Sequence, residues 1–445
     1  MESDKLEITE DISDGPRNSN ESDDLLGEDL VASRGQLWRN LARTALILTA
    51  VVLVALYLNF AKTLIVVVAL IAMIMIHELG HFATAKWSGM KVTEYFLGFG
   101  PKIWSIKRGE TEYGVKAIPA GGYVKIVGMS NLEQVDPADE ARAYRNATYP
   151  RRLAVSAAGS FMHFVMAYLI LVVLFLFVGV PNAAQAKVDA VSTFSSGGSP
   201  AASAGIRPGD IITGVNGHNL VSANDLVTAI QNSPNHSLTL EILRNGHTIS
   251  IKVTPVKAGT VEKGLSPAAA NNGLIGVRLS EPTQTSSFFS SFIKPFGVVS
   301  SYSAATVGAL VSHFSPNGIS KYVNALQHPA STVSGSGASV RFESPVGIVR
   351  LASQAANVGL GAVLTLLFSI NIFVGIFNLA PLLPLDGGHV VIATYEAIRS
   401  RKGRKYHADM MKMVPLTYAV LFVIVLLGLT ALYLDITHPI ANPFG

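Results

Sequence analysis

Five apolar runs, Thr44–Phe60, Thr63–Ala85, Phe161–Val180, Ala362–Ala380 and Pro415–Leu434, limit what this chain can fold into. Each is long enough, or nearly so, to span a hydrocarbon layer that takes about 20 helical residues. Backbone in lipid must satisfy its own hydrogen bonds, which confines such runs to helices. The first two are joined only by the Asn59-Phe60-Ala61-Lys62 region. One helix over both would reach about 63 Å, roughly twice the core thickness, so two crossings joined by a tight turn are expected. Charged residues make up 14% of the chain, against roughly 25% in soluble domains, as follows if much of it faces lipid. The expected fold is a polytopic α-helical membrane protein of about five transmembrane helices.

Charge sets the orientation. Eleven Lys and Arg residues lie between Ala83 and Arg152, and Arg399, Arg401, Lys402, Arg404, Lys405 and Lys412 lie between the fourth and fifth runs. Arg34, Arg39 and Arg43 precede the first. Basic residues accumulate on the cytoplasmic side of crossings, and counting crossings puts all three groups on that side. The N-terminus is then cytoplasmic and the C-terminus outside. Residues 1–40 begin with eleven acids and two bases in the first thirty positions, a composition expected to stay disordered and lacking the basic start and apolar centre of a secretory signal. With basic residues following the membrane boundaries rather than clustering with aromatics, no nucleic-acid role is expected.

Residues 181–361 fall on the outer face. Leu238, Leu240 and Ile242 alternate with polar residues, Asn245-Gly246 is a type I′ turn signal, and Ile249, Ile251 and Val253 resume the alternation, which reads as a β-hairpin. Upstream, Gly205-Ile206-Arg207-Pro208-Gly209-Asp210-Ile211-Ile212 leads to Val215-Asn216-Gly217 and a short helical pattern from Asn224 to Ile230. This part, 185–257, resembles a PDZ domain of the bacterial protease type, an inserted α+β module. Residues 258–344 are rich in Ser, Gly and Ala and carry no assignable pattern.

The chemistry sits in the second run, as His77-Glu78-Leu79-Gly80-His81. On a helix, positions i and i+4 share a face, so both imidazoles can reach one cation with Glu78 beside them to take a proton from water. The pattern alone recurs by chance. Inside an apolar helix, however, each ionisable group is costly, about 2.5 to 3.5 kcal/mol for a central acid, unless paired or ligated. A buried polar cluster is the plainer alternative. With no cysteine, disulfides, thiolate nucleophiles and Cys-ligated metals are excluded, so a metal would need His, Asp or Glu. Candidates for a third ligand are His163, Asp386, His389 and Glu396. Asp386 closes Asn378-Leu379-Ala380-Pro381-Leu382-Leu383-Pro384-Leu385-Asp386-Gly387-Gly388-His389, where two prolines break the fourth run. Irregular backbone at membrane depth is tolerated only inside protein or beside a water-filled cavity, so the break marks a site. From Thr63 to His77 the rise is about 21 Å, which places that site in the cytoplasmic third of the bilayer.

An intramembrane HExxH, a downstream Leu-Asp-Gly and a PDZ-like module between them resemble the site-2 protease family of zinc intramembrane metalloproteases, in its bacterial single-PDZ form, over roughly residues 63–440. Phe96-Leu97-Gly98-Phe99-Gly100-Pro101 and Ile118-Pro119-Ala120-Gly121-Gly122-Tyr123-Val124 match the segment that follows the family's first zinc helix. The resemblance implies Zn2+ held by His77, His81 and Asp386, Glu78 as the catalytic glutamate, and Asn378 near the substrate. It implies cleavage of single-pass membrane-protein substrates, such as anti-sigma factors or remnant signal peptides, after an upstream site-1-type protease. Where the family often has Gly-Pro-x-x-Asn, this chain has Gly159-Ser160-Phe161-Met162-His163; His163 is a substitute for that Asn, an extra polar contact or, the reading favoured here, a core histidine.

The expected division is an acidic cytosolic tail at 1–40, an extra transmembrane helix at 41–60 and a first protease part at 61–184 that includes a membrane-associated hairpin. The PDZ domain follows at 185–257, an extracytoplasmic linker at 258–361 and a second protease part at 362–440. Two other classes compete with the protease: an inactive PDZ membrane scaffold and a metal or proton transporter. A scaffold has no use for Glu78 beside two imidazoles, and the runs show no internal repeat of the transporter kind.

Overall fold

The computed structural model describes residues 60–129, 134–194, 197–261, 266–332, 341–400 and 406–443, with isolated positions between 46 and 57. The tail 1–40 and most of the extra helix expected at 41–60 lie outside the described residues.

The chain enters through α1 (Ala61–Trp87), apolar around its whole circumference and ended by Gly89 at φ 79°, whose amide and that of Met90 close the last carbonyls of Lys86 and Ala85. Two long strands follow, β1 (Val92–Arg108) and β2 (Thr111–Ile126). Gly98 and Gly100, both at positive φ, lie between the two halves of β1, and residues 94–97 pair on one side with 112–115 and on the other with 122–125. The result is a small mixed sheet, parallel between 94–97 and 112–115 and antiparallel elsewhere, with residues 122–126 on one edge and 102–108 on the other. Tyr95 Oη donates to the Met75 carbonyl of α1 at 2.7 Å, docking the sheet on that helix. At the β1–β2 turn Glu110 takes paired bonds from Arg142 at 2.6 and 2.9 Å and an ion pair from Lys86, which together pull its carboxyl down to about 2.

Next comes α2 (Tyr149–Val173), prolonged to Val178 by a π turn. It starts well before the apolar run because Arg152, which would stop a lipid-facing helix, is buried in a 2.5 Å pair with Glu396. Beyond it lie β3 (Ala186–Val191), β4 (Ile211–Val215), α3 (Ala223–Gln231), β5 (Leu238–Arg244), β6 (His247–Val253) and β7 (Val277–Ser280). The sheet order is β6-β5-β4-β3-β7, over a core that includes Ile212, Leu226, Leu240 and Ile242. Asn245 at φ 49° and Gly246 at φ 83° make the β5–β6 turn, and Ser222 with Asp225 forms a capping box on α3. Strand β7 comes from the stretch that carries no pattern in the sequence. Val180–Pro181 pairs with Thr283–Gln284, so the chain leaves for this module and returns at one point.

The rest is helical: α4 (Phe288–His313), α5 (Pro316–Gln327), α6 (Pro345–Val358), α7 (Leu360–Asn378), α8 (Asp386–Arg399) and α9 (Val414–Thr437). Among the described residues four helices are long and apolar enough to cross a membrane: Ala61–Trp87, Tyr149–Val178, Leu360–Asn378 and Met410–Thr437. The protein is thus a multi-pass membrane protein. Helix α4, also from the unassigned stretch, runs along two of the crossings. Tyr168 Oη of α2 donates to its Phe292 carbonyl at 3.1 Å, and Tyr302 stacks edge-on against Phe368 of α7. Lys294, Pro295 and several serines hide it from a hydropathy reading. The far end of α9 is clasped by Arg341 and the Ser344 amide, both donating to the buried Asp435. Between α9, the ends of α4 and α7, and the loop before α8 lies an apolar cavity of about 530 Å³ with Leu382 and Leu385 in its wall.

Candidate metal centre

Three ligand-type side chains converge where α1, α2 and the start of α8 meet. His77 and His81, one turn apart on α1, face each other with Nε2 atoms 3.3 Å apart. Asp386 places Oδ2 3.5 Å from His77 Nε2 and Oδ1 3.3 Å from His81 Nε2. Four donors at about 2.0–2.1 Å around a tetrahedral zinc ion stand about 3.3–3.4 Å from one another, so these separations fit one such ion. Among the described residues this is the group of His and acidic side chains close enough to share a metal.

Close helix approach makes the convergence possible. A Cβ on Gly80 would meet the Ala158 carbonyl and Met162, each at 2.7 Å, so α1 and α2 touch backbone to backbone at this level. One residue further on α2, a Cβ on Gly159 would lie 2.3 Å from His81 Nε2 and 2.6 Å from His77 Nε2. Both rings lie in the space this glycine leaves open. The tautomer of His81 follows from its partner: Nδ1 donates to the Val155 carbonyl at 2.7 Å, leaving Nε2 with a free lone pair. His77 is also buried, and its Nδ1 has no hydrogen-bond partner among the described residues.

Asp386 opens α8 in the first turn, where a helix N-terminus favours an anion. The glycines after it are steric necessities. A Cβ on Gly387 would stand 2.2 Å from the Leu379 carbonyl, and one on Gly388 2.7 Å from the Leu383 amide, because the Pro-containing loop folds back over the helix start. Ser160, next to Gly159, donates to Asp386 Oδ2 at 3.2 Å and turns the carboxylate toward the imidazoles. The sequence reading missed Gly159 and Ser160 as site residues. Their signal was present in the departure from Gly-Pro-x-x-Asn, but its meaning depends on which helix faces α1.

Glu78 lies beside the pair, against the sheet edge: a Cβ on Gly122 would come within 3.1 Å of its Cγ and 2.9 Å of Met75 sulfur. The backbone of residues 122–126 therefore runs past the glutamate as the outer strand of the sheet on that side. Asn378 ends α7, and its side chain bonds to nothing among the described residues. Of the other candidates, Glu396 is bound to Arg152 and to the Ala408 amide, and His163 hydrogen-bonds Asn371; neither belongs to the three-residue group.

Comparison with known proteins agrees with this chemistry. Residues 65–423 match peptidase family M50. The chain is 31% identical over 406 residues to zinc metalloprotease Rip1 of Mycobacterium tuberculosis, covering 84% of this chain and 96% of that one. It is 30% identical over 410 residues to Rip1 of Mycolicibacterium smegmatis, with the same coverage. A putative zinc metalloprotease of Nostoc sp. is 29% identical over 342 residues, 75% of this chain and 86% of that one.

Proposed function

The chain belongs to peptidase family M50, the site-2 proteases, and is a zinc metalloprotease of the membrane; from this premise we propose that His77, His81 and Asp386 hold the zinc and that Glu78 is the catalytic base and acid. The observation that carries the assignment is the trio of ligand separations, 3.3, 3.3 and 3.5 Å, around the space left by Gly159. Zinc held there supplies the Lewis acidity that polarises a peptide carbonyl and brings water within reach of deprotonation near neutral pH. Glu78 accepts the proton of the attacking water and returns it to the leaving amine, the two halves of peptide hydrolysis. His81 keeps its Nδ1–H on the Val155 carbonyl, and Ser160 holds Asp386 in place throughout.

A transmembrane helix must unwind before its carbonyls are accessible. The outer strand at 122–126, next to Glu78, is placed to take the unwound segment as an added strand. Asn378, with an amide donor and acceptor, supports the backbone from the α7 side. Asn378→Leu is expected to cut the cleavage rate about ten-fold or more with zinc content unchanged, measured on a purified single-pass reporter; loss of zinc would place Asn378 in the metal site instead. The cavity beside Leu382 and Leu385 offers an apolar approach to the same place.

The N-terminus and the loops bearing the basic clusters are cytoplasmic, and the module at 186–280 lies outside as a PDZ domain. Support comes from the charge bias, the Asn-Gly hairpin, the capped α3 and the five-strand order. It governs access, by capturing a C-terminus exposed by an earlier site-1-type cut or by excluding bulky ectodomains. Because Val180–Pro181 pairs with Thr283–Gln284, residues 182–282 can be replaced by a short Gly linker. Exclusion predicts faster cleavage of a full-length substrate by that variant, and capture predicts slower cleavage of the trimmed form; no change in either assay removes both roles. Substrates are single-pass proteins such as anti-sigma factors or remnant signal peptides, and they should accumulate uncut in membranes of cells that carry only Glu78→Gln. An unchanged membrane proteome in those cells would count against this reading.

A further inference from the structure

His163 is 2% exposed and Asn371 fully buried, both in the middle of apolar crossings. Asn371 Nδ2 donates to the Leu367 carbonyl at 2.8 Å, which fixes its Oδ1 as an acceptor, and that oxygen stands 2.9 Å from His163 Nδ1. The imidazole therefore carries its proton on Nδ1. Nε2 is left as a bare lone pair on the ring edge away from Cβ, with no hydrogen-bond partner among the described residues. His163 lies one turn along α2 from Gly159, on the face that meets α1, and its ring centroid is 5.0 Å from that of His77. A helix clip would need Nδ1 alone. A second nitrogen without a hydrogen-bond partner, on a side chain 2% exposed whose ring lies 5.0 Å from that of His77, has bonding capacity left for something that arrives at the metal centre.

We propose that His163 is a substrate-positioning residue: held in the Nδ1–H tautomer by Asn371, it accepts at Nε2 a hydrogen bond from a backbone N–H of the substrate segment unwound at the metal centre. Unwinding frees amide donors in a place without bulk water, and Asn371 makes the imidazole an acceptor matched to one of them. The inference rests on the intramembrane protease reading and adds a contact that reading does not require.

The two nitrogens can be separated by substitution. Asn at 163 reproduces the Nδ1 position and the bond to Asn371 but has nothing at Nε2. Gln reaches the Nε2 position with an acceptor. In a Glu78→Gln background, which traps uncut substrate, binding of a fluorescent single-pass reporter in detergent is expected to weaken about ten-fold for His163→Leu and for His163→Asn, and to recover for His163→Gln. Zinc content should stay level across the series, and the fall in melting temperature should be shared by His163→Leu and His163→Gln, both of which leave Asn371 Oδ1 without its donor, so that recovery of binding by Gln is not an effect of stability. Recovery with Asn rather than Gln would mean that His163 only ties α2 to α7, and the proposal falls. Equal binding by all variants, with wild-type protein still cutting the reporter, would overturn it and leave the protease reading standing. Failure of wild-type protein to cut would count against the protease reading itself.

Discussion

Glu78→Gln is expected to abolish cleavage of a single-pass reporter while each chain keeps its zinc. Proton transfer by a positioned side chain contributes about 10² to 10⁴ in rate, and here one group serves both the attacking water and the leaving amine, so the loss should sit at the upper end of that range. Gln keeps the length and shape of Glu, and Glu78 packs against the Gly122 backbone without belonging to the ligand trio, so the sheet edge and the metal are undisturbed. The measurements are metal content of the purified protein and product formation in detergent or liposomes. Cleavage at the wild-type rate with zinc bound would remove Glu78 from the reaction. Loss of zinc together with activity would make it part of the binding site. The intended result, zinc retained and turnover lost, separates acid–base chemistry from metal holding.

Legibility in the sequence followed the range of the interaction. His77, Glu78 and His81 could be read because i, i+4 spacing is a property of one helix, and their cost in an apolar run made them conspicuous. Asp386 is about 300 residues from His81, yet its Pro-flanked helix break marks it without knowledge of the fold. The β5–β6 hairpin was readable from Asn245-Gly246 for the same local reason. Gly159, Ser160 and Gly122 were not, because a small residue in a helix or strand has no distinguishing mark until its neighbour is known. Helix α4 escaped because Lys294 and Pro295 lower its apolar character, though Val298 and Val299 pack with Phe368 and Ile372. The pairing of β7 with β3 also joins segments far apart in the chain, and no local pattern announces it.

Gly159→Ala is expected to cost the protein its zinc, the largest effect for the smallest change. The added methyl carbon would sit 2.3 Å from His81 Nε2, 2.5 Å from His77 Cε1 and 2.6 Å from His77 Nε2, each well inside van der Waals contact and each on a ligand ring. Neither ring can retreat cheaply: His81 is held by the Val155 carbonyl, and His77 is buried. Backbone propensity argues the opposite way, since Ala stabilises a helix interior by about 1 kcal/mol over Gly, so α2 itself is not weakened. The expected purified protein is folded, with little zinc and no turnover. Gly80→Ala is the matched control, because its methyl meets the Ala158 carbonyl and Met162 rather than a ligand. It should lower the melting temperature by forcing α1 and α2 apart, yet lose less zinc than Gly159→Ala. If Gly159→Ala binds zinc at wild-type stoichiometry and affinity, the ion does not sit between His77 and His81 beside α2, and the ligand assignment must be redrawn.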